Sequence, residues 1–308
     1  MGSNFVRFMA NKYPHHNIIN YDNLTYAGDL KNLDDIKGKK NYTFIKGDVC
    51  DFGRLSGLLK DVDCVIHIAA ESHVDNSIGN SLIFTKSNTL GTHALLEASR
   101  LNNVKKFIYI STDEVYGEIE KGSCKEDAKL APNNPYSASK AGADLIARSY
   151  YLTYKMPIII VRSNNVYGPH QYPEKIISRF ATNLILGKKL PLHGDGSYIR
   201  AYFYVKDFVR ALDLVFEKGK IGEIYNMGTH DEISNIELTR KILKKFGKEE
   251  DQIEYVKDRP FNDKRYSVDL TKINALGWKQ EYSFEKGLDE TIDWYKENKG
   301  WWKNKVRQ

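Results

Sequence analysis

Hydrophobic and polar positions follow two different periods along the first half of the chain. Short runs rich in apolar and β-branched residues predict strands at 17–21, 42–46, 64–68, 107–111 and 158–161. Between them, 88–100 and 139–154 predict helices with apolar and aromatic faces. Strands that alternate with helices are typical of a parallel sheet covered on both faces, so we expect an α/β fold with a doubly wound sheet.

The second half is less regular, and we expect it to contribute a smaller α/β C-terminal domain. A length of 308 residues is enough for a large core and suggests one or two domains.

The beginning of the chain matches part of a dinucleotide-binding motif. Such folds open with a strand and a glycine-rich turn at a helix N-terminus, where backbone amides hold a pyrophosphate. Gly2 aligns with the third glycine, and Asp22 follows 20 residues later, as expected for an acid on the adenosine ribose. We therefore expect an N-terminally truncated motif that lacks its first strand and two glycines, with Asp22 favouring NAD over NADP. The alternative for Asp22 is a turn acid after a strand.

A hydroxyl and two carboxyl groups follow the predicted strand at 107–111. Thr112, Asp113 and Glu114 then lie at the carboxyl end of a strand, which is the ligand-binding edge of an open parallel sheet. Two adjacent carboxyl groups can have different pKa values and therefore different roles. The alternative is a surface acidic pair in a turn or a helix cap.

Tyr136 and Lys140 form a second candidate pair. Four residues apart on a helix, their side chains share a face. A neighbouring ammonium and a positive nicotinamide would lower the pKa of the phenol, so that Tyr136 could take the proton of a substrate hydroxyl. The alternative is a packed tyrosine and a solvated lysine.

These segments resemble the nucleotide-sugar 4,6-dehydratases of the extended short-chain dehydrogenase/reductase family. Epimerases of the same superfamily share the tyrosine and the lysine but usually carry small or hydroxyl residues in place of Asp113 and Glu114. The resemblance runs from Gly2 almost to the C-terminus, and its diagnostic segments are 21–28, 47–49, 67–75, 111–117, 136–140, 164–169, 173–175 and 258–260.

The resemblance implies a Rossmann-type NAD-binding domain at 1–163 plus about 202–229. It implies a nucleotide-sugar-binding domain at 164–201 and 230–308. Within the family, the helices equivalent to 88–100 and 139–154 form a dimer interface, so a homodimer is implied. The alternative is that these faces only cover the sheet.

Three groups of site residues carry over from the family by their positions in the matching segments. The catalytic group is Thr112, Asp113, Glu114, Tyr136 and Lys140. The NAD-binding group is Gly2, Asp22, Leu24, Thr25, Asp48, Val49, Ala69, Ala70, Ser87, Tyr136, Lys140 and Val166. The substrate-binding group is Ser72, Thr112, Asn165, Glu174, Lys175, Arg200, Asn235 and Arg259.

The implied reaction is the dehydration of dTDP-glucose to dTDP-4-keto-6-deoxyglucose, in deoxysugar biosynthesis of the rhamnose type. Tyr136, with Lys140 and Thr112, takes the C4 hydroxyl proton while C4 passes hydride to NAD⁺. Glu114 removes the C5 proton and Asp113 protonates the departing C6 hydroxyl, after which hydride returns to C6. Asp113 must be protonated to act, so we expect burial and Glu114 to raise its pKa.

The sequence departs from the family pattern near the nucleotide. Ala201-Tyr202 replaces a frequent Asp-Trp, and Phe261-Asn262 replaces a frequent Gly-His. The sequence therefore leaves both dTDP and UDP as candidate nucleotides of the substrate. The alternative activities are those of a UDP-glucose 4,6-dehydratase, a nucleotide-sugar 4-epimerase and a UDP-glucuronate decarboxylase. A further alternative is a truncated, inactive nucleotide-binding protein.

Composition agrees with a cytoplasmic enzyme. The net charge of +6 is spread over mixed acids and bases, without the basic, aromatic-interleaved block expected of a nucleic-acid partner. Cys50, Cys64 and Cys124 lack metal-ligand spacing and are typical of thiols in a reducing compartment, so we expect no metal. No apolar run reaches the ~20 residues of a membrane span, and we identify no signal peptide.

Overall fold

The structure, a computed structural model, describes residues 1–306. All five predicted strands are present, within a residue or two of the expected limits. The strands are β1 Ile18–Asp22, β2 Tyr42–Lys46, β3 Cys64–His67, β4 Lys106–Thr112, β5 Ile158–Ser163, β6 Asn165–Tyr167, β7 Leu190–His193, β8 Ile199–Tyr204, β9 Ile224–Met227, β10 Glu232–Ser234 and β11 Ile253–Val256.

Helices separate most of these strands, which confirms the α/β fold class. Shorter 3₁₀ turns lie at Leu30–Leu33, Leu59–Asp61, Asp113–Tyr116 and Glu250–Gln252, and a π-helical turn at Thr85–Leu90. The α-helices are α1 Gly2–Lys12, α2 Phe52–Leu58, α3 Val74–Gly79, α4 Ser81–Phe84, α5 Gly91–Leu101, α6 Pro135–Tyr154, α7 Ile176–Ile185, α8 Val205–Lys218, α9 Asn235–Lys245, α10 Thr271–Ala275, α11 Phe284–Glu297 and α12 Lys299–Trp302.

The parallel sheet of the first half consists of two blocks. One has the strand order β3-β4-β5-β9, and the other is the pair β1-β2. Within residues 1–306, β1 pairs only with β2, and β3 pairs only with β4. Helix α1 precedes β1 in the chain. Helix α1 begins at Gly2, the residue aligned with the third glycine of the motif.

Strands β4 and β5 form the centre of the larger block. Every residue of β5 is buried, and so is every residue of β4 after Lys106. Strands buried on both faces are typical of parallel sheets covered by helices. The carboxyl end of β4, where the candidate acids begin, therefore lies in the buried centre of the sheet.

Helix α6 begins earlier than predicted because its N-terminus carries strong start signals. The Asn134 side chain accepts a hydrogen bond from the Ser137 amide at 2.9 Å, and Pro135 occupies the first turn. Farther along, the Asp144 carboxylate pairs with the Arg162 guanidinium of β5 at 2.9 Å, and both side chains are at most 2% exposed. This bidentate pair ties α6 to the sheet.

The second half forms its own apolar cluster around β6, β7, β8, α7, α9 and α11, and it includes Trp302 of α12. Residues from Val268 to Trp278 pack instead with the first-half cluster around Ile108 and Phe208. The division into a cofactor domain and a substrate domain at the limits given above stays a prediction. Among residues 1–306, no helix has the length and apolar character needed to cross a membrane.

We predict that Arg162→Met destabilises the protein by about 3–5 kcal/mol, because it leaves the buried Asp144 carboxylate without a counter-charge. Equilibrium unfolding in urea measures this change. Arg240→Met is the matched control, since Arg240 pairs with Glu250 in solvent and its loss should have a much smaller effect. Equal effects of the two substitutions would contradict the structural role of the buried pair.

Candidate active site

An open cleft of about 700 Å³ lies between the two halves of the chain. The carboxyl ends of β1, β3 and β4 form one wall, and loops around β6, α7 and β11 form the other. Every candidate site residue proposed from the sequence lines this cleft, with the exception of Asp113. The fold thus brings together residues that are up to 257 positions apart, from Gly2 to Arg259.

Thr112, Asp113 and Glu114 lie where β4 passes into a 3₁₀ turn, as predicted. The Thr112 hydroxyl accepts a hydrogen bond from the Glu114 amide at 3.3 Å and donates one to Asp113 Oδ1 at 3.1 Å. All three side chains are buried. The two carboxyl groups are therefore fixed by the turn and shielded from bulk water.

Asp113 lies deeper than its neighbours, at 2% exposure, which explains why it does not line the cleft surface. Burial and the nearby Glu114 raise the pKa of Asp113 to about 7, and the Asn164 amide, 2.8 Å from Oδ2, opposes this rise. The expected rise in its pKa is confirmed. Asp113 can therefore hold a proton near neutral pH and donate it.

Tyr136 lies in the first turn of α6, close enough to Thr112 for that residue to affect its pKa. Burial and the charge of Glu114 raise the pKa of Tyr136 above its ordinary value, although Thr112 opposes the rise. Lys140 does not by itself lower this pKa, because the charges acting on the phenol come from acids, Glu114 and Asp113. The combined effect of Lys140 and a nicotinamide on this pKa stays a prediction.

Lys140 is one turn farther along α6 and is also buried. Its Nζ donates a hydrogen bond to the Ile110 carbonyl at 2.6 Å and lies 4.5 Å from the centre of the Tyr109 ring. Burial lowers the pKa of Lys140 to about 7, and Asp144 opposes this shift. Near neutral pH the group is therefore only partly charged, which removes much of the positive field expected at Tyr136.

The first-half wall has the features that a dinucleotide requires. The N-terminal turn of α1 faces the cleft, and its first amides have no partner within the helix. A Cβ added to Gly2 would meet no atom within 4 Å, so the space beside these amides is open. A helix N-terminus of this kind favours an anionic group such as a pyrophosphate.

Asp22 ends β1 beside this opening. Its Oδ1 accepts a hydrogen bond from the Leu24 amide at 2.7 Å, and Leu24 has a left-handed φ of 52°. The turn holds the carboxylate at the edge of the cleft, where a ribose diol could reach it. The other proposed cofactor residues line the same cleft, namely Thr25, Asp48, Val49, Ala69, Ala70, Ser87 and Val166. The residues present therefore fit a dinucleotide.

Cationic and amide groups line the opposite wall. Lys175 Nζ donates to the Ser72 carbonyl at 2.6 Å, and Arg200 Nη2 donates to Asn262 Oδ1 at 3.0 Å. Arg259 is ion-paired across the cleft with Asp75. The remaining substrate candidates also line this cleft: Ser72, Thr112, Asn165, Glu174 and Asn235. These groups could hold a phosphorylated ligand opposite Tyr136.

Three further polar residues belong to the site although the sequence reasoning missed them. Asn134 donates to Glu114 Oε2 at 3.4 Å, Asn164 donates to Asp113, and Asp75 pairs with Arg259. Asn134 could have been found from its position before Pro135, which is a helix-cap signal. Nothing in the local sequence around Asn164 or Asp75 indicates which residue each one contacts.

Comparison with known proteins gives a consistent result. Residues 1–291 match the profile of the family described as GDP-mannose 4,6 dehydratase. A trifunctional UDP-glucose 4,6-dehydratase/epimerase/reductase of Arabidopsis thaliana is 45% identical over 98% of this chain. The chain spans about half of that plant protein, 46% of its length.

Two other proteins match over nearly their whole length. The human dTDP-D-glucose 4,6-dehydratase is 43% identical over 99% of this chain and 89% of its own length. The crystal structure of a Streptomyces venezuelae dTDP-glucose 4,6-dehydratase with NAD bound has a TM-score of 0.97 and 44% identity, with 99% of this chain and 96% of that chain covered. The chain belongs to the GDP-mannose 4,6 dehydratase family.

Proposed function

We propose that this protein is an NAD-dependent nucleotide-sugar 4,6-dehydratase that converts dTDP-glucose to dTDP-4-keto-6-deoxyglucose. One observation carries the proposal. A buried carboxyl group with a pKa of about 7, Asp113, adjoins the cleft-lining Glu114, and both lie beside Tyr136. An acid and a base beside a tyrosine are what an oxidation followed by loss of water requires. The names of the human and Streptomyces relatives support the same reaction.

The first step removes two hydrogens from the C4 alcohol. Tyr136 accepts the hydroxyl proton, and Thr112 beside it favours the deprotonated phenol by opposing the rise of its pKa. When bound, NAD⁺ supplies the acceptor for the C4 hydride, which returns to C6 at the end, and a positive charge that favours the phenolate. Lys140 provides additional positive charge whenever it is protonated.

The second step eliminates water across C5 and C6. The 4-keto group acidifies the C5 proton, which Glu114 removes as a carboxylate. Asp113 donates its proton to the C6 hydroxyl, so that the hydroxyl leaves as water. Glu114 returns the C5 proton to C5 when C6 receives the hydride, and the proton gained by Tyr136 balances the one that Asp113 gives up. Asn134, 3.4 Å from Glu114 Oε2, and Asn164, 2.8 Å from Asp113 Oδ2, hold the two carboxyl groups in their different positions.

The sugar and its nucleotide are held by the opposite wall. Lys175, Arg200 and Arg259 supply the cationic donors for the diphosphate, and Asn235 and Asn165 supply amide groups. We favour dTDP because the human and Streptomyces relatives are named for it. The plant relative is named for UDP-glucose, so UDP-glucose is the second candidate substrate.

We also propose a homodimer formed through α5 and α6 with the preceding helical segments. Large apolar side chains on this surface are exposed, at 80% for Leu82, 53% for Leu90, 55% for Leu145 and 54% for Leu152. Several large apolar side chains exposed on neighbouring helical segments are typical of an interface. The three cysteines within the described residues are free thiols, which supports our proposal of a cytoplasmic location.

The reaction steps can be separated by substitution. Tyr136→Phe should lower the rate of C4 oxidation by about 10²- to 10⁴-fold, because the general base is lost. The double variant Asp113→Asn with Glu114→Gln should still oxidise C4 but release no water. Nicotinamide absorbance in a single turnover reports the oxidation, and mass spectrometry of the sugar nucleotide reports the water, with both dTDP-glucose and UDP-glucose as substrates.

Tyr154→Phe, at the exposed end of the same helix, is the control and should retain normal turnover. Normal dehydration by the double variant would show that the acids are assigned wrongly. An inverted hydroxyl without water loss in the native protein would identify an epimerase, and release of CO₂ from UDP-glucuronate would identify a decarboxylase.

The rate of water loss should fall as pH rises through about 7. Asp113 is protonated below its raised pKa of about 7 and is an acid only in that form. Single-turnover water loss measured between about pH 6 and 9 should therefore decrease close to tenfold per unit above the pKa. Oxidation is measured separately, because Lys140 titrates over the same range. A rate of water loss that increases with pH would contradict Asp113 as the acid.

A single substitution that introduces a charge tests the proposed dimer interface. Leu145→Arg should convert the dimer to a monomer, because it places an unpaired guanidinium in an apolar contact. Sedimentation velocity measures the change in mass. Tyr255→Arg is the control and should leave the dimer intact, because the Tyr255 side chain is exposed on β11 in the other half of the chain. A monomeric native protein at micromolar concentration would refute the proposal.

A further inference from the structure

An ion pair joins the two walls of the cleft at the proposed diphosphate site. Asp75 lies in the first turn of α3, just after the loop that follows β3, and Arg259 lies in the loop after β11. Arg259 Nε is 2.5 Å from Asp75 Oδ1, and Nη2 is 3.2 Å from Oδ2. The two residues are 184 positions apart, so only the tertiary fold creates this contact.

The Asp75 carboxylate lies in cationic surroundings. The Arg259 guanidinium is paired with the carboxylate, and His73 Nε2 is 3.5 Å from Oδ2. Burial lowers the pKa of His73 to about 3, so His73 is uncharged near neutral pH. Burial alone would raise the pKa of Asp75, but the charge and hydrogen bond of Arg259 lower it below its ordinary value. The carboxylate is therefore ionised at neutral pH and partly neutralises the positive wall.

The edge of the guanidinium that Asp75 engages is also important. A phosphate and a carboxylate bind arginine in the same bidentate way, through two parallel N–H groups. Asp75 covers the Nε and Nη2 edge of the guanidinium: Nη2 donates to Oδ2, whereas Nε is ion-paired with Oδ1 but makes no hydrogen bond. A diphosphate that binds Arg259 through this edge must therefore replace the carboxylate.

We propose that Asp75 is an internal substitute for the diphosphate of the nucleotide sugar. In the absence of nucleotide it holds Arg259 across the cleft, and it yields the guanidinium when a nucleoside diphosphate binds. Asp75 is thus a positioning residue that lowers the affinity for anions, so that weakly bound anions do not occupy the site. This inference rests on the proposed function, because that function places the diphosphate at Arg259.

Removal of the competing carboxylate should strengthen binding. Asp75→Asn keeps the shape of the side chain but removes its charge, and we expect it to bind dTDP about fivefold more tightly than the native protein. Isothermal titration calorimetry measures this affinity. Asp35→Asn is the matched control, because Asp35 pairs with Arg7 at 2.7 Å outside the cleft and should leave the affinity unchanged. Unchanged or weaker binding by Asp75→Asn would overturn the proposal.

The proposal requires that the increase in dTDP affinity depends on Arg259. The double variant Asp75→Asn with Arg259→Gln should lose the increase in affinity, relative to Arg259→Gln alone. If the increase persists, the effect of Asp75 is a general charge effect and the proposal fails.

Inorganic pyrophosphate, titrated into the same variants, separates this proposal from the proposed function. A native protein that binds neither dTDP nor UDP refutes the function. In that case, tighter pyrophosphate binding by Asp75→Asn still supports the competition, and equal binding overturns it.

Discussion

Two buried basic side chains fix helix α6 to the central strands, and the candidate chemistry depends on this attachment. The Arg162 guanidinium of β5 donates two hydrogen bonds to the Asp144 carboxylate, and Lys140 Nζ donates one to the Ile110 carbonyl of β4. Because both contacts are shielded from water, neither is easily exchanged for solvent. Tyr136, one turn before Lys140, is thereby held against Thr112 at the end of β4.

The same burial sets the protonation of the groups that meet there. Removal from water disfavours charge, so it raises the pKa of Asp113 and lowers that of Lys140, both to about 7. For Tyr136, burial and the adjacent acids raise the pKa. In the proposed mechanism the protein alone prepares an acid for the elimination, and a bound NAD⁺ would add positive charge that favours the phenolate of Tyr136.

Contacts between the two walls give the cleft its width. Tyr26 donates to Glu174, Lys175 donates to the Ser72 carbonyl, and Arg259 pairs with Asp75. Each contact joins a loop of the first half to a loop of the second. The proposed substrate ligands Lys175, Glu174 and Arg259 are thus already engaged by first-half groups, and a nucleotide sugar must compete with these contacts.

The sequence by itself determined five strands of the first half, the helix that carries Tyr136 and Lys140, and the position of Thr112 to Glu114 after a strand. These features depend on local periodicity and on where a strand ends, which neighbouring residues decide. Only the tertiary structure decided which charges surround Tyr136, that Asn164 contacts Asp113, and that Asp75 meets Arg259. Local pattern cannot supply these facts, because a pKa and an ion pair depend on burial and on groups that folding brings from distant positions.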